Sequence, residues 1–192
     1  MTSETPRPPR DCPLAIVTGA PGAGKTTTVA ALLRHPRDYL VFDTDILLPD
    51  LAALAGRSGH DTEELWLPFR RLCVTLARMV GHNGRQAVLC IPIEPHELAA
   101  ALPDAWHGAV AWCLLDCDDA TRRARLLARG WDERAIAEAS NDARALRQHV
   151  PFVIDTGQLS AEAIATAIDR WLRGQGTEST AATTTGEIAN VL

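Results

Sequence analysis

Short apolar runs alternate with longer stretches of helical periodicity along most of this chain. Five runs stand out: LAIVT (14–18), YLVF (39–42), AVLCI (87–91), AVAWCLL (109–115) and PFVI (151–154). Each is nearly continuous rather than alternating, which is typical of strands covered on both faces. The pattern therefore predicts a parallel sheet enclosed between helices.

Helical periodicity fills most of the segments between the runs. The predicted helices are TTTVAALLRH (26–35), EELWLPFRRLCVTLARMVG (63–81), DATRRARLLARG (119–130), ERAIAEASNDARALRQH (133–149) and SAEAIATAIDRWLRG (160–174). Because Pro68 lies within the second of these, we expect a kink or a break there. The alternation of strands and helices indicates an α/β fold.

The two ends of the chain differ in composition from the middle. Residues 1–12 are polar and rich in Pro and Arg, and residues 174–192 are rich in Gly, Thr and Ser. Both are predicted to be disordered, because such segments bury too little apolar surface to fold. Residues 13–173 are predicted to form one domain.

Composition narrows the setting in which the protein works. A net charge of −5 gives no general attraction to nucleic acid or to anionic membranes. The five cysteines form no CxxC pair and are expected to be buried thiols. No apolar run reaches the roughly 18 residues of a membrane span, and MTSETPRPPRD lacks the apolar core of a signal peptide. We therefore predict a cytoplasmic protein with no nucleic-acid or membrane partner, and its oligomeric state stays open.

The segment IVTGAPGAGKTTT carries the single lysine of the chain, Lys25, against eighteen arginines. Lysine is a compact point charge, whereas arginine is a broad planar fork, so this position is expected to need shape as well as charge. Residues 19–26 satisfy G-x-x-x-x-G-K-[ST], with an apolar strand before the motif and a helical pattern after it.

Such a loop surrounds phosphate oxygens with backbone N–H groups. Lys25 would bridge the β and γ phosphates, and the Thr26 hydroxyl would hold Mg²⁺. Thr27 follows, although its position gives it no role on phosphate or metal. The predicted nucleotide-binding residues of this segment are Gly19, Ala20, Pro21, Gly22, Ala23, Gly24, Lys25, Thr26 and Thr27.

Missing motifs exclude several classes of P-loop protein. The chain has no N-K-x-D sequence for reading guanine and no LSGGQ-like signature of ABC-type ATPases. The run AVLCI does not end in an acidic residue but continues as Pro92-Ile93-Glu94. What remains is the compact group that transfers phosphate to small molecules.

Residues 14–173 resemble the small P-loop kinases of the nucleoside/nucleotide kinase-like group, which includes gluconate kinase, shikimate kinase and chloramphenicol phosphotransferase. The resemblance rests on the loop, on VFDTDILLP, on LLDCDDATRRARLLARGW and on VIDTGQLSAEAIATAIDRWL. It implies a three-layer P-loop NTPase fold, whose five-stranded parallel sheet has the order 2-3-1-4-5 and helices on both faces. It also implies a short lid at about residues 122–135, ATP and Mg²⁺ as cofactors, and a small-molecule acceptor.

Two carboxylates follow the second run directly, where ligands of open α/β sheets bind. They are Asp43 and Asp45 in VFDTDIL. Phosphoryl transfer requires that the acceptor oxygen be positioned and its proton accepted. By the resemblance, Asp45 is the predicted catalytic base and Asp43 is predicted to order Mg²⁺ through water, beside Thr26. The alternative is that one of them caps the helix that begins in ILLPDLAAL.

Three arginines at i, i+3 and i+7 share one face of the third predicted helix, DATRRARLLARG. Planar guanidinium groups suit the charge that spreads over phosphoryl oxygens. As residues of a lid helix, Arg125 and Arg129 are predicted to be catalytic and Arg122 to contact the nucleotide. The alternative is a solvated arginine stripe.

The resemblance also places weaker candidates. Thr156 and Gly157 are predicted to lie along the adenine. Glu94 is either a substitute for the missing strand-end acid near Mg²⁺ or an ordinary loop residue. Arg57, His60, Trp66 and Arg70 fall where the family builds its acceptor pocket, although each is expected to be structural.

The main hypothesis is an ATP-dependent phosphotransferase that moves the γ-phosphate to a hydroxyl of a nucleoside, a sugar or an antibiotic-like metabolite. One alternative is a nucleoside monophosphate kinase, which would need acceptor-side arginines such as Arg57 and Arg70. A second is a regulatory ATP-binding P-loop protein without efficient transfer. The missing strand-end acid favours it, whereas the paired aspartates and the arginine face disfavour it. A polynucleotide 5′-hydroxyl kinase is disfavoured by the acidic charge.

Overall fold

The computed structural model describes residues 14–34, 37–56, 63–104, 106 and 109–174. The predicted N-terminal arm and residues 175–192 of the predicted tail lie outside these ranges. The described strands are β1 (Leu14–Thr18), β2 (Tyr39–Asp43), β3 (Gln86–Cys90), β4 (Val110–Asp116) and β5 (Val153–Asp155).

Seven α-helices occur in the described ranges, together with short 3-10 helices at Thr44–Leu47 and Glu63–Leu65. The α-helices are α1 (Lys25–Leu32), α2 (Leu48–Leu54), α3 (Trp66–His82), α4 (Pro95–Ala101), α5 (Asp119–Leu127), α6 (Glu133–His149) and α7 (Ala161–Leu172). None of these helices has both the length and the apolar character needed to cross a membrane.

The five strands form one sheet in the order β2-β3-β1-β4-β5, and every neighbouring pair is parallel. The α/β fold class and the strand order implied by the resemblance are therefore confirmed. Because β1, β2 and β3 are parallel neighbours in the sheet, the loops that follow them emerge at the same edge. This edge is where an open parallel sheet binds ligands.

Two apolar layers enclose the sheet, as the continuous apolar runs predict. On one face α1 and α7 pack against β1, β3 and β4; their buried residues there include Val29, Leu32, Ile164, Ile168 and Trp171. On the other face α3 and α4 contribute Phe69, Cys73, Val74, Ala77 and Leu98. A neighbouring cluster joins Ala143 and Leu146 of α6 to Leu114 of β4.

Three boundaries differ from the sequence pattern for local reasons. Pro68 is the third residue of α3 and does not break it, because N–H groups in a first turn have no intrahelical partner. Helix α4, absent from the predicted helices, starts at Pro95 behind a capping box that joins Glu94 and Glu97. Strand β5 starts at Val153 rather than at Pro151, which has no N–H to donate to a ladder.

The cysteines of the described ranges fit the expected buried thiols. Cys73, Cys90, Cys113 and Cys117 are free and buried, and Cys12 lies outside the described residues. Burial raises the pKa of Cys90 to about 12. Cys90 is therefore a neutral thiol near neutral pH, and it contributes to the core beneath the loop.

Candidate active site

The loop of residues 19–24 joins the central strand β1 to α1, and two of its glycines are required by geometry. Gly24 precedes α1 with φ 93°, a left-handed conformation that side chains rarely adopt. A Cβ added to Gly19 would lie 2.6 Å from the backbone oxygen of Leu115 in β4. The loop therefore lies flush against the neighbouring strand.

Lys25 is the first residue of α1, and its side chain folds back over the loop. Its Nζ donates a hydrogen bond to the Gly19 oxygen at 2.5 Å. Burial lowers the pKa of Lys25, and the negative charges of Asp45 and Asp43 oppose this shift. The structure thus brings the single lysine and both predicted carboxylates together, across three strands of the sheet.

Thr44 explains how the two aspartates are positioned. Asp43 ends β2 opposite Cys90 of β3, and the wholly buried Thr44 donates from its Oγ1 to the Cys90 oxygen at 3.0 Å. This bond fixes the turn that follows and holds Asp45 beside Lys25. Sequence reasoning missed Thr44, because its partner is 46 residues away.

Asp45 has the electrostatic properties of a base that is held partly out of water. Its side chain reaches solvent, yet partial desolvation raises the pKa of its carboxyl, while Lys25 lowers it. The helix-cap alternative for the aspartates receives no support. Asp43 precedes the 3-10 helix without a capping hydrogen bond from its side chain, and α2 follows Leu47.

The three predicted lid arginines do not share one environment. Helix α5 ends at Leu127, so Arg129 lies in the turn that leads to α6 and is exposed. Arg125 is half-buried and donates from Nη1 to the Gly22 oxygen and to Thr156 Oγ1, each at 3.1 Å. Its Nη2 donates to the Thr156 oxygen at 2.7 Å. The predicted lid region is therefore the end of α5, a tight turn and the start of α6.

Arg122 lies behind the loop rather than over it. Its side chain is wholly buried, and Nη1 donates to the Pro21 oxygen at 2.9 Å. Nη2 bonds Asp116 at the end of β4 and the Cys117 oxygen at 3.3 Å. All of these partners are protein groups. A direct contact between Arg122 and a nucleotide stays a prediction.

Thr156 follows β5 and lies under the loop. Its buried hydroxyl donates to the Ala23 oxygen at 2.8 Å, or to the Asp116 oxygen at 3.0 Å. Gly157 donates its N–H to Asp155 Oδ1 at 2.7 Å in the turn that follows. The predicted adenine-side pair is thus adjacent to the loop, and its contact with adenine stays a prediction.

One cleft opens on the α1 and α7 side of the loop. It has a volume of about 230 Å³ and adjoins the predicted residues Gly24, Arg125 and Arg129. The other residues that line it are Thr27, Thr28, Thr156, Leu159, Ala161 and Ile164. Ala161 and Ile164 of α7 give it an apolar wall, and Arg125 and Arg129 bring positive charge to it.

A second cleft, of about 190 Å³, opens on the opposite side of the loop and carries mostly negative charge. Gly19, Ala20 and Pro21 form one wall, and the charged residues are Arg70, Glu94, Glu97 and Asp142. Arg70 is neutralised by Glu97, whose Oε1 lies 2.5 Å from its Nη2. Burial raises the pKa of Asp142, and the negative charges of Glu94, Glu138 and Glu97 raise it further.

Sequence reasoning missed Glu97 and Asp142 because they lie on different helices and belong to no motif. Glu94, a candidate for the missing strand-end acid, instead caps α4 and lies 3.4 Å from His96 Nδ1. The Trp66 ring centroid lies 5.7 Å from Cζ of the Arg70 guanidinium, and a role of either residue in an acceptor pocket stays untested. Arg57 and His60 lie outside the described residues.

The donors at the loop fit magnesium. Thr26 presents a hydroxyl in the exposed first turn of α1, and Asp43 presents a carboxylate near Lys25. Hydroxyl and carboxylate oxygens are suitable Mg²⁺ ligands, and this ion commonly takes only one or two of them from protein. No group of three or more His, Cys, Asp or Glu in the described ranges is placed to hold a metal.

Comparisons with known proteins agree with this geometry. A family model described as "AAA domain" matches residues 16–147, well over half of the chain. A search of curated proteins by sequence gives no match.

Solved structures share the fold at low sequence identity. The tunicamycin resistance protein of Deinococcus radiodurans is 21% identical, with a TM-score of 0.64 over 83% of this chain and 95% of that one. A sugar kinase from Janibacter sp. HTCC2649 is 17% identical, with a TM-score of 0.56 over 84% and 94%. A gluconokinase from Sinorhizobium meliloti 1021 is 15% identical, with a TM-score of 0.50 over 86% and 96%. These structures share the fold of this chain, and the family match leads to one conclusion: the chain belongs to the AAA domain family.

Proposed function

We propose that this protein transfers the γ-phosphate of ATP to a hydroxyl group of a small molecule. The observation that carries the proposal is the meeting of Lys25, Asp45 and Asp43 at the mouth of a phosphate-binding loop. A cation for the transferred phosphoryl group and a carboxylate of raised pKa for the acceptor proton are the two parts that this reaction needs.

Each residue has a definite task in this proposal. Backbone N–H groups of the loop and the Lys25 ammonium hold the β and γ phosphates. Asp45 accepts the proton of the acceptor hydroxyl while that oxygen bonds to the γ-phosphorus and the bond to the β–γ bridging oxygen breaks. Thr26 and Asp43 would hold Mg²⁺, which neutralises charge on the phosphate oxygens when it is bound.

Arg125 and Arg129 would complete the nucleotide side. Both line the cleft beside α7, and a guanidinium complements charge that spreads over phosphoryl oxygens in the transition state. Arg125 is held in place by Gly22 and Thr156, so its position is set before a ligand arrives. Arg129 is free of this constraint in an exposed turn and can approach as the turn moves.

The charge of the second cleft supports a hydroxyl acceptor over a nucleoside monophosphate. An anionic acceptor requires arginines that are available to it, yet Arg70 is already paired with Glu97. Two further carboxylates, on Glu94 and Asp142, would repel a phosphate. An uncharged polyol or an amine-bearing alcohol suits this lining better.

The test measures ATP consumption against a panel of sugars, nucleosides, amino alcohols and nucleoside monophosphates. We expect stimulation by at least one alcohol, and a loss of about a hundredfold or more in Lys25→Met and in Asp45→Asn, because each removes a transition-state contact. Asp50→Asn in the exposed part of α2 is the matched control, and it should keep the wild-type rate.

Other outcomes would assign the function differently. Stimulation by monophosphates alone would identify a nucleoside monophosphate kinase. Tight ATP binding without stimulation across the panel would favour a regulatory nucleotide-binding protein. Full activity in Asp45→Asn would remove that carboxylate from the mechanism.

A further inference from the structure

Three consecutive carbonyl oxygens of the loop are held from outside by side chains. Arg122 donates to the Pro21 oxygen at 2.9 Å, and Arg125 donates to the Gly22 oxygen at 3.1 Å. Thr156 Oγ1 lies 2.8 Å from the Ala23 oxygen. All three side chains come from elements that follow β4, about 100 residues or more beyond the loop.

The planarity of the peptide unit turns these contacts into a constraint on the amides. In a trans peptide the C=O of one residue and the N–H of the next point in opposite directions. A Pro21 oxygen that is held outward therefore turns the N–H of Gly22 inward, and an Ala23 oxygen held outward does the same for Gly24. The N–H of Ala23 is used within the loop, since it donates to the Ala20 oxygen at 3.1 Å.

Arg122 is the most firmly fixed of the three side chains. It is wholly buried, and its guanidinium also bonds Asp116, which in turn accepts from Arg147 Nε of α6 at 2.5 Å. The side chain additionally fills the space beside Gly22, whose added Cβ would lie 3.1 Å from Arg122 Cγ. A buried charge is costly unless it is paired. If this position only had to be filled, an apolar residue of similar volume would be easier to accommodate than an arginine.

We propose that Arg122 is a positioning residue, which orients the Gly22 amide of the loop toward the phosphates and is itself held by Asp116 and Arg147. The proposal rests on the proposed function, because it assumes that the loop binds a polyphosphate. It assigns Arg122 an effect on nucleotide affinity without a contact to the nucleotide. It also explains why α5 carries an arginine at a wholly buried position.

The test compares Arg122→Met with Arg123→Met in the full chain. Arg123 is exposed on the same helix and pairs with Glu133 at the surface, so it is a matched control. The measurements are the affinity for MgATP by calorimetry and the hydrogen exchange of the amides in residues 19–28 by mass spectrometry, both well below the melting temperature.

We expect Arg122→Met to lose about tenfold or more in MgATP affinity and to exchange its loop amides about tenfold faster, since a charge-assisted hydrogen bond is lost. Arg123→Met should change neither value. Arg122→Lys, which reaches either Asp116 or the Pro21 oxygen, should fall between wild type and Arg122→Met. It also replaces Arg122→Met in the comparison if that variant does not fold.

The opposite result is equally clear. If Arg122→Met melts at a lower temperature but keeps wild-type loop exchange and wild-type affinity while folded, Arg122 serves stability alone and the proposal is overturned. If the wild-type protein binds no MgATP, the proposed function fails, but loop exchange still decides whether Arg122 orients the amides.

Discussion

The ammonium of Lys25 lies between a loop carbonyl and two carboxylates, and this position explains why a chain of arginines keeps one lysine. Its Nζ donates to the Gly19 oxygen at 2.5 Å, and an ammonium is a more compact donor than a planar guanidinium. Asp45 and Asp43 supply the opposing charges. In the absence of phosphate, the loop backbone and these carboxylates stabilise the cation.

The pH dependence of stability tests this environment. Burial lowers the pKa of Lys25 below its ordinary value of 10.5, so the folded protein binds fewer protons than the unfolded chain between the two pKa values. Through this group, the free energy of unfolding should therefore rise as the pH increases across that window up to 10.5. Urea unfolding of wild type and Lys25→Met at several alkaline pH values measures it.

The affinity for MgATP should depend on pH in the opposite direction, because phosphate needs the protonated amine of Lys25. MgATP affinity of the wild type should fall as the pH rises through the same window. A difference in unfolding free energy between wild type and Lys25→Met that does not vary with pH would contradict the lowered pKa.

At the scale of elements, α5 and the end of β5 hold the loop as a unit. Two arginines of α5 bind loop carbonyls, and Thr156 after β5 bonds both the loop and the end of β4. The predicted lid helix is therefore anchored both near its start, by Arg122, and in its last turn, by Arg125. Arg129 lies beyond these contacts, in the exposed turn that follows.

Thr156→Val should show how much the contacts of Thr156 with the loop and with the end of β4 contribute to stability. The substitution keeps the shape but removes a buried hydroxyl that serves Ala23, Asp116 and Arg125, so we expect a loss of about 1–3 kcal/mol in unfolding free energy. Thr166→Val, at an exposed position of α7, removes one hydrogen bond to the Glu162 oxygen and should cost less than about 0.5 kcal/mol. Equal losses of unfolding free energy in the two variants, measured by chemical denaturation, would show that the buried contacts of Thr156 add no more stability than a surface hydrogen bond.

At the scale of the whole molecule, the loop separates two clefts of different character. The cleft beside α7 has an apolar wall and two arginines, whereas the opposite cleft is lined by carboxylates and one paired arginine. Under the proposed function, the nucleotide would approach the loop from the first side and the acceptor from the second. The carboxylates would then disfavour an acceptor that carries a second phosphate.

Ligand binding should stabilise the molecule as a whole by mass action. At about 100 times its dissociation constant, MgATP should add about 2.7 kcal/mol to the unfolding free energy. For a domain of this size, that corresponds to a rise of roughly 5–10 °C in Tm. Differential scanning calorimetry of wild type and Lys25→Met should show the rise only in the wild type, and an equal rise in both would exclude Lys25 from the site.

Short-range features of the sequence were enough to predict much of the fold and the phosphate loop. The continuous apolar runs predicted a covered parallel sheet, and the glycines, Lys25 and the flanking strand and helix predicted the phosphate loop. Both depend on residues close together in the chain. The roles of the site residues, including Asp45 and Arg129, stay predictions, and the Asp45→Asn variant tests the first of these two.

What the sequence by itself determined is therefore the set of elements and the loop that joins the central strand to its helix, because periodicity and backbone requirements act over a few residues. Only the tertiary structure decided that Arg122 is buried while Arg129 is exposed, although both were predicted on one face of a helix. It likewise decided that Glu97 and Asp142 share a cleft. The physical reason is that burial and charge neighbours depend on which elements pack together, and that packing joins residues far apart in the chain.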